Sequence, residues 1–233
     1  MACNRMSNTV TAASVPQRSL PADSSRLYAR DGARKYLNRS ERQRALASMA
    51  ALERDQALFA LTLAWTGARI SEVLALSPQS FQIDAATVSI VTLKRRRFHV
   101  REVPVPPDLM ADLVSHFSLY EAQRDPLRAK LRLWPRHRVT GWRVIKNAMM
   151  LAQIVGRAAC PRGLRHAFGV GTLQAGVPLH LTQRWMGHAR PSTTAIYADV
   201  SGPEELAFAA LFWRASEGCA FSIVHAAHAP QEM

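Results

Sequence analysis

From Ala57 to Trp65 the chain reads Ala-Leu-Phe-Ala-Leu-Thr-Leu-Ala-Trp. A helix with apolar residues nearly all the way round cannot lie on a surface and must be enclosed by other elements. The stretch therefore predicts a buried central helix, closed by Thr66-Gly67, with the rest of the chain arranged around it. With 233 residues and 48% hydrophobic content, one good core is expected, with at most a small appendage. Arg69 emerges after the closing glycine at the start of a further short helix. Glu72 is three positions on and shares its face. By default such a pair is a surface ion pair worth well under about 1 kcal/mol.

Other elements follow from capping signals and periodicity. Asn38 with Glu41 is a capping-box pair opening a helix in which Leu46, Met49, Ala50 and Glu53 give one apolar and one charged side. Thr87 to Leu93 alternates and is β-branched, Arg101 to Val105 reads as its return strand, and Lys94-Arg95-Arg96-Arg97 is the tip of a basic hairpin. Asp108 to Tyr120 is an amphipathic helix after Pro106-Pro107. Arg124 to Arg138 is a basic linker holding Trp134, and Thr140 caps a helix to about Val155. Two short helical patterns follow, one ending at Gly176 and one running from Pro178 to Gly187. A last helix opens at Pro203, Glu204 and Glu205 and carries Leu206, Phe208, Leu211, Phe212 and Trp213. The fold class expected is mainly α with a small antiparallel β-sheet or hairpin.

Thirty Lys and Arg against seventeen Asp and Glu give a formal charge of +13. That is the footprint of a polyanion binder, and nucleic acid is the expected partner. Cys3, Cys160 and Cys219 are few, odd in number and without metal spacing, so neither a disulfide scaffold nor a metal site is expected. No apolar run reaches the roughly 18 residues of a membrane span, and there is no signal-peptide core. A cytoplasmic, DNA-associated protein with no membrane partner is expected. Residues 1–36 are Ser- and Arg-rich without apolar period and read as a flexible basic arm rather than a transit peptide.

The chemistry concentrates between Pro161 and Val200. Here stand Pro161-Arg162-Gly163-Leu164-Arg165-His166, then Trp185-Met186-Gly187-His188, then Tyr197 nine positions after His188. Gly187 allows a sharp turn that swings the His188 imidazole away from its helix, and Tyr197 is expected on a short helix entered through Pro191 and Ser192. Singly, each residue reads as an ordinary core-edge or surface group. Together with the upstream Thr66-Gly67-Ala68-Arg69-Ile70-Ser71-Glu72, they make the chain resemble the tyrosine recombinases, the phage-integrase family. That family shows His-x-Leu-Arg-His, then Leu-Gly-His, then Tyr nine residues on, with a Thr-Gly-x-Arg-x-Ser-Glu box ahead. The resemblance covers roughly Leu37 to Trp213, and two boxes in order and spacing are far more specific than one motif. One departure is plain: Arg162 replaces the first histidine, so phosphate contact is expected there and no catalytic role.

The resemblance implies a tyrosine-recombinase catalytic-domain fold over residues 37–215, followed by a tail at 216–233. It implies catalytic roles for Arg69, Lys94, Arg165, His188 and Tyr197, with Glu72 and His166 in support. The family places a catalytic lysine in the hairpin ahead of an Arg-x-Val-Pro segment like Arg101-Glu102-Val103-Pro104, and Lys94 is the one lysine available. Tyr197 would attack a scissile phosphate to give a 3′-phosphotyrosine, which stores the bond energy and requires no cofactor. A free tyrosine with pKa about 10 lies some 4 kcal/mol from its ionised form at pH 7. Cationic neighbours and a histidine base must offset that. Arginines suit the clamping of phosphate oxygens through paired donors. Arg95, Arg96, Arg97, Arg162, Arg143 and Lys146 are expected to meet phosphates without reading sequence. Double-stranded DNA and a homo-oligomer, a tetramer on DNA, are the implied partners. Fewer than forty residues precede Leu37, which resembles compact or truncated members of the family. Two rivals stay open at this point: a noncatalytic helix-turn-helix regulator built on the helices around Gly176, and a type IB topoisomerase-like enzyme.

Overall fold

The computed structural model describes residues 27–93, 99–198, 206 and 209–211. Nine α-helices and three strands follow in the order α1 (Arg39–Ala50), α2 (Arg54–Thr66), α3 (Ile70–Val73), β1 (Phe81–Gln82), β2 (Thr87–Val91), β3 (Val100–Pro104), α4 (Pro107–Phe117), α5 (Leu119–Arg124), α6 (Arg138–Leu151), α7 (Pro161–Gln174), α8 (Leu179–Met186) and α9 (Ser192–Ala195) among these residues. The fold is thus mainly helical with a small antiparallel sheet, as the sequence predicts.

The apolar stretch forms α2, and Ala57, Leu58, Phe59, Ala60, Leu63 and Ala64 are all buried. It packs against α1, α3, α4, α6 and α7, which is the enclosure its composition requires. The Asn38 side chain caps α1 by accepting from the Glu41 N–H at 2.8 Å, and Glu41 returns the bond to the Asn38 N–H at 2.8 Å. Glu53 has left that helix: its carboxylate caps α2 instead, and Ala50 is exposed, so the apolar side of α1 is carried by Ala45 and Met49.

The sheet has the order β1-β2-β3, all antiparallel, with Val88 opposite Val103 and Ile90 opposite Arg101. Alternation turns Val88, Ile90, Val103 and Arg101 inward. Only the two-residue β1 was not foreseen.

Four expectations need correction. The helix expected over Asp108 to Tyr120 is two helices, broken at Ser118, whose φ is +47°. A straight continuation of the Leu109–Leu113 stripe would aim Tyr120 inward; the break aims Leu119 there, which is fully buried while Tyr120 is exposed. The basic linker is less of a linker than composition suggests. Trp134 is wholly buried, edge-on to Phe59 at 5.6 Å and to Phe117 at 5.4 Å, so the segment is pinned onto α2 and α4. Helix α6 is capped by His137, whose Nδ1 accepts from the Val139 N–H at 3.3 Å, and not by Thr140, and it ends at Leu151. Residues 27–36 of the expected arm fold onto the domain: Leu27 and Tyr36 are buried, and Arg34 forms a two-pronged pair with Glu41 at 3.1 and 3.2 Å.

The rest of the arm, the hairpin tip with Lys94, Arg95, Arg96 and Arg97, and the tail at 216–233 lie outside the described residues. Of the expected last helix, Leu206 and residues 209–211 are described and helical. Among the described residues no helix is long and apolar enough to cross a membrane.

Candidate active site

Arg69 stands at the N-cap of α3, where the chain re-enters helix after Gly67. Its backbone N–H donates to Glu72 Oε2 at 2.9 Å, and its Nη1 donates to Glu72 Oε1 at 2.8 Å. This is not a surface ion pair, because the Glu72 side chain is 0% exposed. A carboxylate so enclosed needs more than one partner. The second is Arg101, reaching from β3 with Nη2 2.7 Å from Glu72 Oε2. Burial alone would push the Glu72 carboxyl up; the Arg101 charge and the Arg69 N–H overcome it and hold it below the usual carboxylate value.

Arg165 and His166 sit in the second turn of α7, a helix opened by Pro161 at its first position. Arg165 donates Nη1 to the Gly67 carbonyl and Nη2 to the Met186 carbonyl at 2.6 Å. The guanidinium thereby ties the end of α2 to the end of α8. Burial, and after it the Arg69 charge, lower its pKa to about 10, which leaves it cationic at neutral pH.

Helix α8 ends at Gly187, whose φ of +65° is left-handed and suits glycine. The turn delivers His188, whose Nδ1 lies 2.9 Å from Thr194 Oγ1. Its ring is nearly parallel to that of Tyr197, at 16° and 6.2 Å. Tyr197 lies just past α9 in the closing turn, not within the helix as expected. Its hydroxyl is 3.2 Å from His166 Nδ1. Gly169 makes room for it, since a Cβ there would stand 2.6 Å from the phenol ring.

Burial sets the protonation states. Tyr197 is 1% exposed, and burial pushes its pKa up to about 12 against the opposing pull of Arg165 and Arg69. Burial first, then the Arg165 charge, lowers His166 to about 4 and His188 to about 3. Both imidazoles are neutral at pH 7, and His166 Nδ1, in the tautomer that leaves it unprotonated, can accept a hydrogen bond from the phenol.

These groups border one cleft of about 550 Å³, lined by Arg69, Arg165, His166, His188, Tyr197 and Arg162 among others. Six sequence-predicted residues thus converge, Arg69 from the N-terminal half and the other five from three segments between residues 162 and 197. Glu72 stands behind Arg69, as support. Arg143 is exposed on α6, outside the cleft lining. The Lys146 ammonium donates to the Ala159 carbonyl at 2.8 Å and lies 5.8 Å from the Trp142 ring. Two residues were missed. Arg138, at the start of α6, lines the cleft, and nothing in its sequence context distinguishes it from neighbouring arginines. Arg101 was passed over although the signal was present: a charge on the inward face of an alternating strand.

Residues 35–203, well over half of the chain, match the model of the phage integrase family. The chain belongs to the phage integrase family. Phage-integrase relatives of similar sequence include the tyrosine recombinase XerD of Haemophilus influenzae, 30% identical over 155 residues, covering 64% of this chain and 50% of that protein. The tyrosine recombinase XerA of Pyrococcus furiosus is 27% identical over 150 residues, covering 62% and 50%. The chain therefore spans about half the length of these relatives. The phage-integrase fold is shared with the crystal structure of XerA recombinase, at a TM-score of 0.60 and 21% identity over 77% of this chain and 62% of that one. It is shared also with the catalytic domain of bacteriophage HP1 integrase, at 0.53 and 21% over 79% and 98%.

Proposed function

We propose that this member of the phage integrase family cleaves and rejoins double-stranded DNA as a site-specific recombinase, through a 3′-phosphotyrosine on Tyr197. One observation carries the reading: a buried tyrosine whose hydroxyl meets a neutral histidine opens onto a cleft rimmed by Arg69, Arg162 and Arg165. A phosphodiester seated there would meet guanidinium donors on its nonbridging oxygens, where they act most strongly as charge develops in the transition state.

In the first step the Tyr197 oxygen attacks phosphorus, its proton passes to His166 Nδ1, and the 5′-oxygen of the broken strand leaves with a proton from Lys94. Reversal by an incoming 5′-hydroxyl rejoins the strands. The phosphotyrosine conserves the bond, so no nucleotide is needed. Arg69 and Arg165 clamp the phosphate, Glu72 holds Arg69, and His188 aligns the phosphate beside Tyr197. The cations Arg95, Arg96, Arg97, Arg143 and Arg162 meet backbone phosphates, and the active assembly is a homo-oligomer, a tetramer on DNA. XerH site-specific recombinase, which shares this fold, is bound to a palindromic difH substrate in a post-cleavage complex, and the Tn1549 transposon integrase is in complex with transposon right end DNA, which supports DNA as substrate.

A noncatalytic helix-turn-helix regulator gives no account of the enclosed Tyr197–His166 pair. Incubation with nicked duplexes followed by denaturing electrophoresis tests the proposal, the expected result being a detergent-resistant adduct. Strand exchange between two duplexes, against simple relaxation of supercoils, separates a recombinase from a topoisomerase.

A further inference from the structure

Arg101 lies on the inward face of β3 with its side chain 0% exposed. Its guanidinium donates in three directions: Nη2 to Glu72 Oε2 at 2.7 Å, Nη1 to Thr92 Oγ1 at 2.9 Å, and Nε to the Trp185 carbonyl at 2.7 Å. Each acceptor belongs to a different arm of the structure around Arg101. Glu72 is the carboxylate that also holds Arg69. Thr92 follows β2 and stands two residues before Lys94. Trp185 is in the last turn of α8, next to Met186, whose carbonyl Arg165 uses, and three residues before His188. The turn itself is packed on the guanidinium, since a Cβ at Gly187 would stand 3.1 Å from Arg101 Cζ.

We infer that Arg101 is a positioning residue that holds the Arg69 arm, the hairpin arm and the His188 arm in fixed register without meeting DNA itself. The inference rests on the reading of the cleft as a phosphodiester-transfer site and identifies what keeps that site assembled. Arginine is required by the geometry. A planar guanidinium fixes several donors at set angles, whereas a lysine ammonium is a point charge on a flexible stem and cannot span the same three acceptors. Removing one donor from an enclosed network leaves its partner unsatisfied, so the effect spreads to every arm tied to it.

The test uses Arg101→Lys and the milder Thr92→Val, each compared with wild type by amide hydrogen exchange of the free protein, DNA affinity, and single-turnover cleavage of a nicked duplex. For Arg101→Lys, exchange at residues 69–74 and 185–190 should speed up about tenfold while α1 and α4 keep their protection. DNA affinity should stay within about twofold, and cleavage should fall about thirtyfold, in keeping with loss of orientation and not of binding. Combined with Arg69→Lys, the double variant should lose less than the product of the two single losses, because both act through Glu72. Thr92→Val should loosen the same segments to a smaller degree, and it carries the test if Arg101→Lys does not fold. Unchanged exchange at 69–74 and 185–190, or a uniform loss across the domain with cleavage per folded molecule intact, would overturn the inference. A wild type that forms no adduct refutes the recombinase reading, while the exchange pattern still decides the role of Arg101.

Discussion

The Tyr197 hydroxyl stands 3.2 Å from Nδ1 of His166, in a site where burial holds the phenol protonated and the imidazole neutral. A phenol with pKa about 12 lies about five units from ionisation at pH 7, on the order of 7 kcal/mol. The free protein is thus a resting state in which the nucleophile keeps its proton. The arginines beside it oppose that penalty, and a bound phosphate gives the phenolic oxygen an electrophile as the proton moves to His166.

The same burial makes stability depend on pH in a defined direction. The folded-state values of His166 and His188, about 4 and about 3, lie below the ordinary 6.5. The unfolded chain therefore binds protons below pH 6.5 that the folded one refuses. Stability from these two groups is fully present above pH 6.5 and is lost as pH falls toward the folded values, at about 1.4 kcal/mol per pH unit for each. Urea unfolding at pH 7.5, 6 and 5 should show this decline. In proton NMR of the DNA-free protein the two ring signals should not titrate between pH 8 and pH 5; a midpoint near 6.5 for either would show that it is not held neutral.

Arg69→Lys and Arg165→Lys retain charge but lose paired donors, and in Arg165→Lys the link between Gly67 and Met186 is lost too. Cleavage should drop roughly a hundredfold or more, from the 3 to 4 kcal/mol typical of one missing transition-state donor. Near-normal single-turnover rates would mark either residue as structural only.

These residues were legible because the two boxes that carry them are linear. Arg69 with Glu72, Arg165 with His166, His188 and Tyr197 each sit in short runs whose spacing survives folding. The rest depended on tertiary contact. Leu27 and Tyr36 lie in a stretch without apolar period, so nothing local reveals their burial. The α4–α5 break falls on Ser118 and not on a glycine or proline, and shows only as a shift in stripe from Leu113 to Leu119. The burial of Arg101 was visible in the alternation with Val103, two residues on along the same strand. That Lys146 is engaged by the Ala159 carbonyl has no sequence signature at all.

That engagement separates two cations on α6. Arg143→Ala should lower the slope of log affinity against log salt by about one, as for the loss of one phosphate contact. Lys146→Ala should change it by less than half as much. Fluorescence anisotropy on a fixed duplex across a salt series measures both; equal slopes for the two variants would assign Lys146 a phosphate of its own.

Lys94 is tested through its leaving group. If it protonates the departing 5′-oxygen, Lys94→Ala should cripple cleavage of normal DNA yet cleave a 5′-bridging sulfur substrate almost as fast as wild type, because a thiolate leaves without a proton. Equal slowness on both substrates would make Lys94 a positioning contact and move the acid to another group.

Mapping the adduct tests the covalent step most directly. Wild-type protein and Tyr197→Phe, each trapped on a nicked duplex, are digested with protease and nuclease and the peptides weighed. Wild type should carry a nucleotide on the peptide containing Tyr197, and Tyr197→Phe should bind DNA within about threefold but form no adduct, since loss of one hydroxyl leaves the phosphate contacts in place. An adduct at normal yield in Tyr197→Phe, or a nucleotide on any other residue in wild type, would contradict a covalent step at Tyr197.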